Sequence, residues 1–562
     1  MALKTDVATK APDDQRVVGT RPVRQDGLDK VTGRARYGAD VNMAGLLHGK
    51  VLRSPHAHAR IRSIDTSRAE ALPGVRAVAT SADFPIIQQQ DLDFTGGARM
   101  NAENSLAHEK ALYRGHAVAA VAATSSHLAE EAAQLIDVDY EVLPTVLTVH
   151  DALKDGAPVL HDGLTTFFTV DRSARGDDTG VRGNVASHIQ LKRGDLEQGF
   201  QQADVIVERE FSTQAVHQGY LEPFACTVDW TVDGHMTIWT STQGYFAVRS
   251  TTAAIVGIPE SAVKVIPMEV GGAFGAKGVS YLEPVAAVLS KKSGQPVKMV
   301  MSRKEVFEGT GPASGCHMRC KIGVDKAGRI TAAQLYLAFE AGAYPGSSVA
   351  GGAYTGFGPY KIENLLIDGY DVVCNKQKTQ AYRAPGHPQA AFAVETVIDE
   401  IAEKLDMDPM DLRLVNAVHE GDRAPSGVPH ARFGCAEVEE AMKAHPHYTT
   451  PLDGPNRGRG IAVGYRLNGS GSGSAATINV NADGTVNLIT GSADLSGSRV
   501  AIAMQVAEVL GIAPEDVSPA LADTDSVGYS GMAGGSRITF ETGAAAIATA
   551  QEAVRQMSAR AA

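Results

Sequence analysis

Two Asp-Gly dipeptides constrain this chain more than any other feature. Val228, Trp230 and Val232 alternate with polar residues up to Asp233–Gly234, and Met236 and Ile238 resume the alternation beyond it. Ile478 and Val480 lead in the same way to Asp483–Gly484, followed by Val486 and Leu488. An Asp-Gly pair between alternating runs supplies the positive φ angles of a tight turn, so both segments are predicted to be β-hairpins. Helices are predicted as locally. Leu128, Ala132 and Leu135 fall at three- and four-residue steps between Ser126 and Ile136, with Ser125 or Ser126 as the cap. Val394, Val397, Ile398, Ile401, Ala402 and Leu405 form one apolar stripe, and Asp408–Pro409 opens another short helix. The fold class is mixed α+β.

At 562 residues the chain is too long for one core. Residues 1–16 are polar and read as a disordered tail, followed by a compact α+β domain over 17–148. Residues 149–185, rich in Asp, Gly, Arg and Thr, read as an extended linker laid over a surface. Two further α+β subdomains are expected at 186–420 and 421–562, one for each hairpin. A net charge of −12 with no basic block argues against a nucleic-acid or anionic-membrane surface. Five cysteines do not make a disulfide framework. Cys316 and Cys320 lack a second ligand pair for zinc, and no four thiolates have ferredoxin-like spacing. With no secretion signal and no membrane-length apolar run, the cytoplasm is the expected location.

Three glycine- or small-residue-rich segments border ordered elements. Val270 to Lys277 (VGGAFGAK) lies between a strand-like run and a helix-like run from Tyr281 to Leu289. Its glycines suit either a tight turn or a close backbone approach to an anion or flat cofactor; its spacing is neither a Walker loop nor a dinucleotide fingerprint. Ala381 to Gln389 presents Arg383 ahead of Ala-Pro-Gly, as a fixed guanidinium fork or as a solvated helix entry. Gly531 to Arg537 reads as an anion nest or a surface loop. His56 and His58 share a strand face but lack a third ligand, so they are expected to be a polar surface pair. Glu222 and Glu283 each stand beside a proline as candidate bases. No nucleophile elbow supports hydrolase chemistry.

Taken in order, these segments resemble the molybdenum hydroxylases of the xanthine dehydrogenase and aldehyde oxidase family. Asp26 to Gly33, Arg53 to Arg60 and Val138 to Pro144 are similar to its a/b hammerhead domain. His217 with Glu222–Pro223, Ser241 to Gln243, Gly271 to Lys277 and Tyr382 to Gly386 are similar to its molybdopterin-binding domain. Met407 to Pro409 with Asn416, and Asp523–Thr524 with Ser536–Arg537, extend the likeness. The resemblance implies a hammerhead domain followed by two molybdopterin-binding subdomains, the second incomplete.

The resemblance also implies roles. Gln243 would hydrogen-bond an oxo ligand of molybdenum, with Phe274 and Gly275 beside the metal and Gly272 and Ala273 supplying loop amides. Arg383 and Ala384 would hold the pterin side, and Gly535 and Ser536 would contact the cofactor from the second subdomain. Gln243, Phe274 and Arg383 are the implied catalytic set. No protein ligand to the metal is implied, because the dithiolene of the cofactor holds it. The implied cofactor is molybdenum-molybdopterin in its cytosine dinucleotide form. The implied reaction is hydroxylation of an electron-poor carbon, in an N-heteroaromatic or an aldehyde, with water as oxygen source and a glutamate as base. Electrons would leave through Fe-S and FAD partner subunits.

Three departures qualify the likeness. Where the family has Gly-Gln-Gly followed by Thr, this chain reads Ser496, Gly497, Ser498 and Arg499, so the usual glutamine contact is replaced and Arg499 is expected to reach a phosphate instead. Gly278 stands where purine-oxidising members carry an acid, which disfavours xanthine. The family's Gly-Glu segment does not follow the alanine-rich helix (Thr542 to Ala562), and a separate C-terminal subunit is expected to supply the base. An aromatic CoA-thioester reductase and a scaffold subunit without cofactor are the alternatives.

Overall fold

The computed structural model describes residues 15–88, 97–170, 176–466, 471 and 473–562. Both Asp-Gly hairpins form: Ala225–Trp230 pairs antiparallel with Met236–Thr240, and Ala476–Val480 with Val486–Thr490. They belong to different sheets. The first lies in a seven-stranded sheet ordered Val263–Pro267, Met236–Thr240, Ala225–Trp230, Val297–Val300, Leu47–Arg53, Ala117–Ala123, Val75–Thr80. Leu47 to Gly49 pairs in parallel with Val297 to Met299, which joins the N-terminal region to the next one. The main sheet of the region expected as a domain at 17–148 thus continues into strands more than a hundred residues away.

Alanine makes that junction possible. Ala117–Ala123 is buried at every position. Alternate side chains face opposite layers. Ala120 and Ala122 pack towards Val285 and Leu289 of helix Glu283–Ser293, whereas Ala119 and Val121 pack towards Ala132 and Ala133 of helix Ser126–Gln134.

A second seven-stranded sheet runs Val205–Thr213, Cys316–Val324, Ile330–Gly342, Leu365–Val373, Val185–Arg193, Thr165–Thr169, Asp177–Arg182. The apolar stripe read from Val394 to Leu405 lies on helix His387–Lys404, with Val394, Val397, Ile398 and Ile401 fully buried against this sheet. Asp408 caps the next helix, accepting from the amides of Met410 and Asp411. Arg413 of that helix is fully buried and reaches back to Glu395 (2.9 Å) and Asp399 (2.8 Å).

The linker expectation for 149–185 needs correction. Val149–Ala152 is helical, Thr165–Thr169 pairs in parallel with Val185–Arg193, and Asp177–Arg182 pairs with Thr165–Thr169. Thr165–Thr169 is half-buried and Asp177–Arg182 exposed at every position, so neither has a buried face to impose an apolar alternation on the sequence. The tail expectation also shortens: residues 1–14 lie outside the described residues, but the amides of Arg16, Val17 and Val18 already donate to Glu508.

The C-terminal region is a three-stranded sheet under helices Ser498–Leu510 and Ile538–Ala561. It docks on the edge of the first sheet, where Thr524 exchanges hydrogen bonds with Val265 through its amide (3.1 Å) and hydroxyl (3.0 Å). Among the described residues no helix is long and apolar enough to cross a membrane.

Candidate functional site

Glu222 builds the site from beneath. Its carboxylate accepts from the Gly271 amide (2.7 Å), the Ser241 hydroxyl (2.6 Å) and the Lys277 ammonium (2.6 Å). Both ends of the 270–277 loop are thereby tied to one anion. Lys277 is fully buried, its ammonium 5.2 Å from the Tyr220 ring centre. Burial pulls its pKa below the ordinary lysine value, against the opposing charge of Glu222. Glu222 is thus a scaffold for the loop rather than a free base. Glu283 is buried in the core, with Thr240 donating to it at 2.7 Å and its pKa raised by burial.

Gln243 joins the two halves. Its side-chain oxygen accepts from the amides of Gly275 (3.0 Å) and Lys277 (3.2 Å), and its Nε2 donates to the Ala533 carbonyl (2.6 Å). The Ala533 amide donates back to the Gln243 carbonyl at 2.7 Å. Gly275 (φ +116°) passes so close to the 381–384 turn that a Cβ there would sit 2.5 Å from the Ala381 carbonyl oxygen. Arg383 donates its amide to the Phe274 carbonyl (2.8 Å) and stacks its guanidinium 5.3 Å from the Phe274 ring centre.

These contacts frame a cavity of about 600 Å³ between the first sheet's loops and the C-terminal region. Gln243, Phe274, Gly275, Arg383, Ala384, Ser496, Ser498, Gly535 and Ser536 all line it. Gly272, Ala273, Gly497 and Arg499 do not. Gly272 packs on Tyr220, Ala273 is buried behind the loop, and Gly497 packs under the Arg24 guanidinium. Met532, Ala533 and Gly534 line the cavity from within the Gly531–Arg537 segment. Arg466 and Pro385 line it too, and Arg466 donates to the Ser536 hydroxyl (2.6 Å). No sequence motif contains Arg466, so only the fold could place it.

The backbone here is unusual. Seven described non-glycine residues have positive φ, and Phe274, Arg383, Ala384, Ser496 and Ser536 are five of them. All five line this cavity, while the other two are the tolerant Asp406 and Asn456. Such conformations cost about 1–3 kcal/mol each and concentrate at functional sites. The amides of Phe274, Gly534, Gly535 and Ser536 have no acceptor among the described residues. No carboxylate among the described residues lines the cavity, whereas Arg383, Arg466 and Arg537 do. Amide nests and guanidinium forks without a competing acid suit a large, flat, anionic group.

Arg499 lies outside this cavity and is held by carboxylates. It bonds Asp494 (2.6 Å) and Glu269 (2.6 Å), and Asp494 also accepts from the amides of Gly497 and Ser498 at the start of the helix. Asp26, held by Arg24 and Lys30, completes this network, which straps residues 24–36 across the two halves. Burial opposes ionisation of Asp26 and Asp494, but hydrogen bonds from Arg24 and Lys30 to the first and from Arg499 to the second outweigh it. Both pKa values lie below the ordinary range. A depressed carboxylate pKa stabilises above its unfolded value of about 3.9, and the contribution is lost as pH falls through the folded value. Hydrogen exchange at the Gly497 and Ser498 amides should therefore accelerate below about pH 4. Unchanged protection down to about pH 2 would contradict the strap.

His56 and His58 are not a surface pair. His58 is buried, with Nδ1 2.6 Å from the Pro144 carbonyl, and His56 packs on Tyr140. Among the described residues no group of three or more His, Cys, Asp or Glu side chains is placed to hold a metal ion.

The fold thus leaves an arginine-lined cavity, without a carboxylate among the described residues, between the first sheet's loops and the C-terminal region. Comparison with known proteins gives the class a name. Residues 32–144 match the a/b hammerhead domain of aldehyde oxidase and xanthine dehydrogenase, and residues 178–417 and 436–562 match molybdopterin cofactor-binding domains. The chain is 31% identical to a probable xanthine dehydrogenase subunit of Bacillus subtilis, across 92% of this chain and 68% of that protein. It is 32% identical to the nicotinate dehydrogenase large molybdopterin subunit of Eubacterium barkeri, across 74% of this chain and 92% of that one. The structure of quinoline 2-oxidoreductase from Pseudomonas putida 86 superposes with a TM-score of 0.83 at 28% identity, covering 96% of this chain and 71% of that chain. Other curated relatives are longer, this chain spanning 58% of their length. The chain belongs to the xanthine dehydrogenase and aldehyde oxidase family of molybdenum hydroxylases and corresponds to the molybdenum-cofactor-binding large subunit.

Proposed function

We propose that this subunit hydroxylates an electron-poor carbon of an N-heteroaromatic ring, or of an aldehyde, with oxygen from water. The observation that carries the reading is the gathering of five strained non-glycine residues around one acid-free cavity. When bound, the molybdenum cofactor, here in its cytosine dinucleotide form, supplies the two-electron oxidation of substrate carbon. The protein's part is to hold and orient. Phe274 and Gly275 present the loop beside the metal, with Gly272 and Ala273 shaping it from behind. Arg383 and Ala384 face the pterin side, and the amides of Gly535 and Ser536 grip it from the C-terminal half. Ser496 and Ser498 face the same cavity, while Gly497 and Arg499 position their loop. Gln243 keeps the two halves in register and has a second Nε2 proton for an oxo ligand.

The base is a carboxylate that another polypeptide brings to the cavity, and Fe-S and FAD subunits accept the electrons, in a cytoplasmic complex. Two observations support the separate base: the acid-free lining, and the match to a "large molybdopterin subunit" over 92% of its length. An apolar ring is favoured over a purine. The space that a side chain at Gly278 would fill is taken by Met532, whose sulfur lies 2.5 Å from such a Cβ.

The test is molybdenum content of the protein isolated with everything that co-purifies, followed by turnover of quinoline, nicotinate or an aldehyde in ¹⁸O-labelled water. One molybdenum per chain and label in the product are expected. Arg383→Ala, which removes the guanidinium stacked on Phe274, should lose the metal; full occupancy in that variant would sink the assignment of Arg383.

A further inference from the structure

A second, larger concavity of about 870 Å³ lies on the far side of the segment carrying Tyr465 and Arg466. The proposed chemistry does not use it. It is lined by an aromatic cluster: the rings of His430, Phe433 and Tyr465 meet pairwise at centroid distances of 5.0, 5.6 and 6.0 Å, tilted to one another by 45°, 89° and 55°. The Tyr465 ring packs closely on Gly358, where a Cβ would stand 2.2 Å from it. One wall is helix Cys435–Ala444, which presents Val438 (68% exposed) and Met442 (46% exposed).

Two polar side chains in this lining are more than nine-tenths buried and incompletely bonded. Glu439 is 3% exposed; one carboxylate oxygen lies 3.6 Å from the Cys435 sulfur, and the other has no partner among the described residues. His430 is 7% exposed, and its Nε2 has no partner among the described residues. Buried polar atoms are nearly always satisfied, so two orphans in one apolar concavity mark a place where a ligand completes the bonding. Burial lifts the Glu439 carboxyl to about 6, which leaves it an acceptor near neutral pH. Arg466 lines both concavities and bonds Ser536 in the first.

We propose that this groove is a second small-molecule site, taking a planar aromatic molecule whose ring packs against those of His430, Phe433 and Tyr465 and whose polar edge gives an N–H to Glu439 and pairs with His430. An N-heteroaromatic lactam has that edge. The reading of function above enters only in choosing the compound tested. Calorimetric titration of the isolated complex with 2-quinolone at pH 7.5 should show saturable binding. Val438→Trp, at an exposed helix position, fills the groove and should abolish that binding, and Glu439→Gln should weaken it about tenfold, as loss of a charged hydrogen bond does. Binding that survives Val438→Trp, or no saturable binding by the wild-type complex, overturns the proposal. A complex without molybdenum that still binds 2-quinolone at this groove would leave the proposal standing while the functional reading fell.

Discussion

Gly275→Ala should strip the protein of its molybdenum. The Gly275 backbone sits at φ +116°, and its new Cβ would lie 2.5 Å from the Ala381 carbonyl oxygen and 2.7 Å from its carbon. Neither atom can yield, because both belong to the backbone turn that aims Arg383 at the Phe274 ring. Strain of about 1–3 kcal/mol at such a position, before the clash is counted, corresponds to about a tenfold or greater loss of the cofactor-competent loop. Gly484→Ala is the matched control. That residue also has positive φ (+87°), on an exposed hairpin with nothing near its absent Cβ. It should lower stability slightly and keep its metal. Equal molybdenum in both variants, measured by mass spectrometry of the intact complex, would show that the approach of 275 to 381 is not what holds the site.

The second large effect belongs to Lys277→Met. Removing a fully buried ammonium leaves Glu222, with a side chain 10% exposed, as an unpaired buried charge. Breaking one partner of such a pair costs about 3–5 kcal/mol. At about 2.1 cal/mol/K per residue, a chain of 562 residues should lose about 3–4 °C of its thermal midpoint. The Glu222 carboxylate also accepts from the Gly271 amide, so the loop should loosen and metal content should drop with the midpoint. Glu222→Gln combined with Lys277→Met should cost less than the two single changes added, because the stranded charge is gone. Additivity within about 0.5 kcal/mol would mean that the pair is not coupled.

Much of the fold was legible locally. Asp233–Gly234 and Asp483–Gly484 turned where alternation required, the stripe from Val394 to Leu405 became the buried face of one helix, and Asp408 capped the next. Each depends on residues within a few positions of one another, where sterics and hydrogen bonding act without tertiary help. The three glycine- or small-residue-rich segments were legible as special backbone, because glycine, proline and small residues advertise where a chain must bend or be approached. The family likeness rested on those same segments in order.

Tertiary structure decided what the segments do together. Leu47–Arg53 joins Val297–Val300 in one sheet, an edge-to-edge match that neither strand's pattern encodes. Thr165–Thr169 became an inner strand and Asp177–Arg182 the edge of the second sheet although their residues alternate nothing, because partner strands, not periodicity, satisfied their backbone. Arg499 looked like a phosphate ligand by position and is instead claimed by Asp494 and Glu269, carboxylates 5 and 230 residues away. Glu222 looked like a base and is held by Lys277, 55 residues on. A side chain's charge is written in the sequence. Whether that charge faces a substrate or a counter-ion depends on which distant chain the fold brings beside it, since desolvation and pairing are set by neighbours in space rather than along the chain.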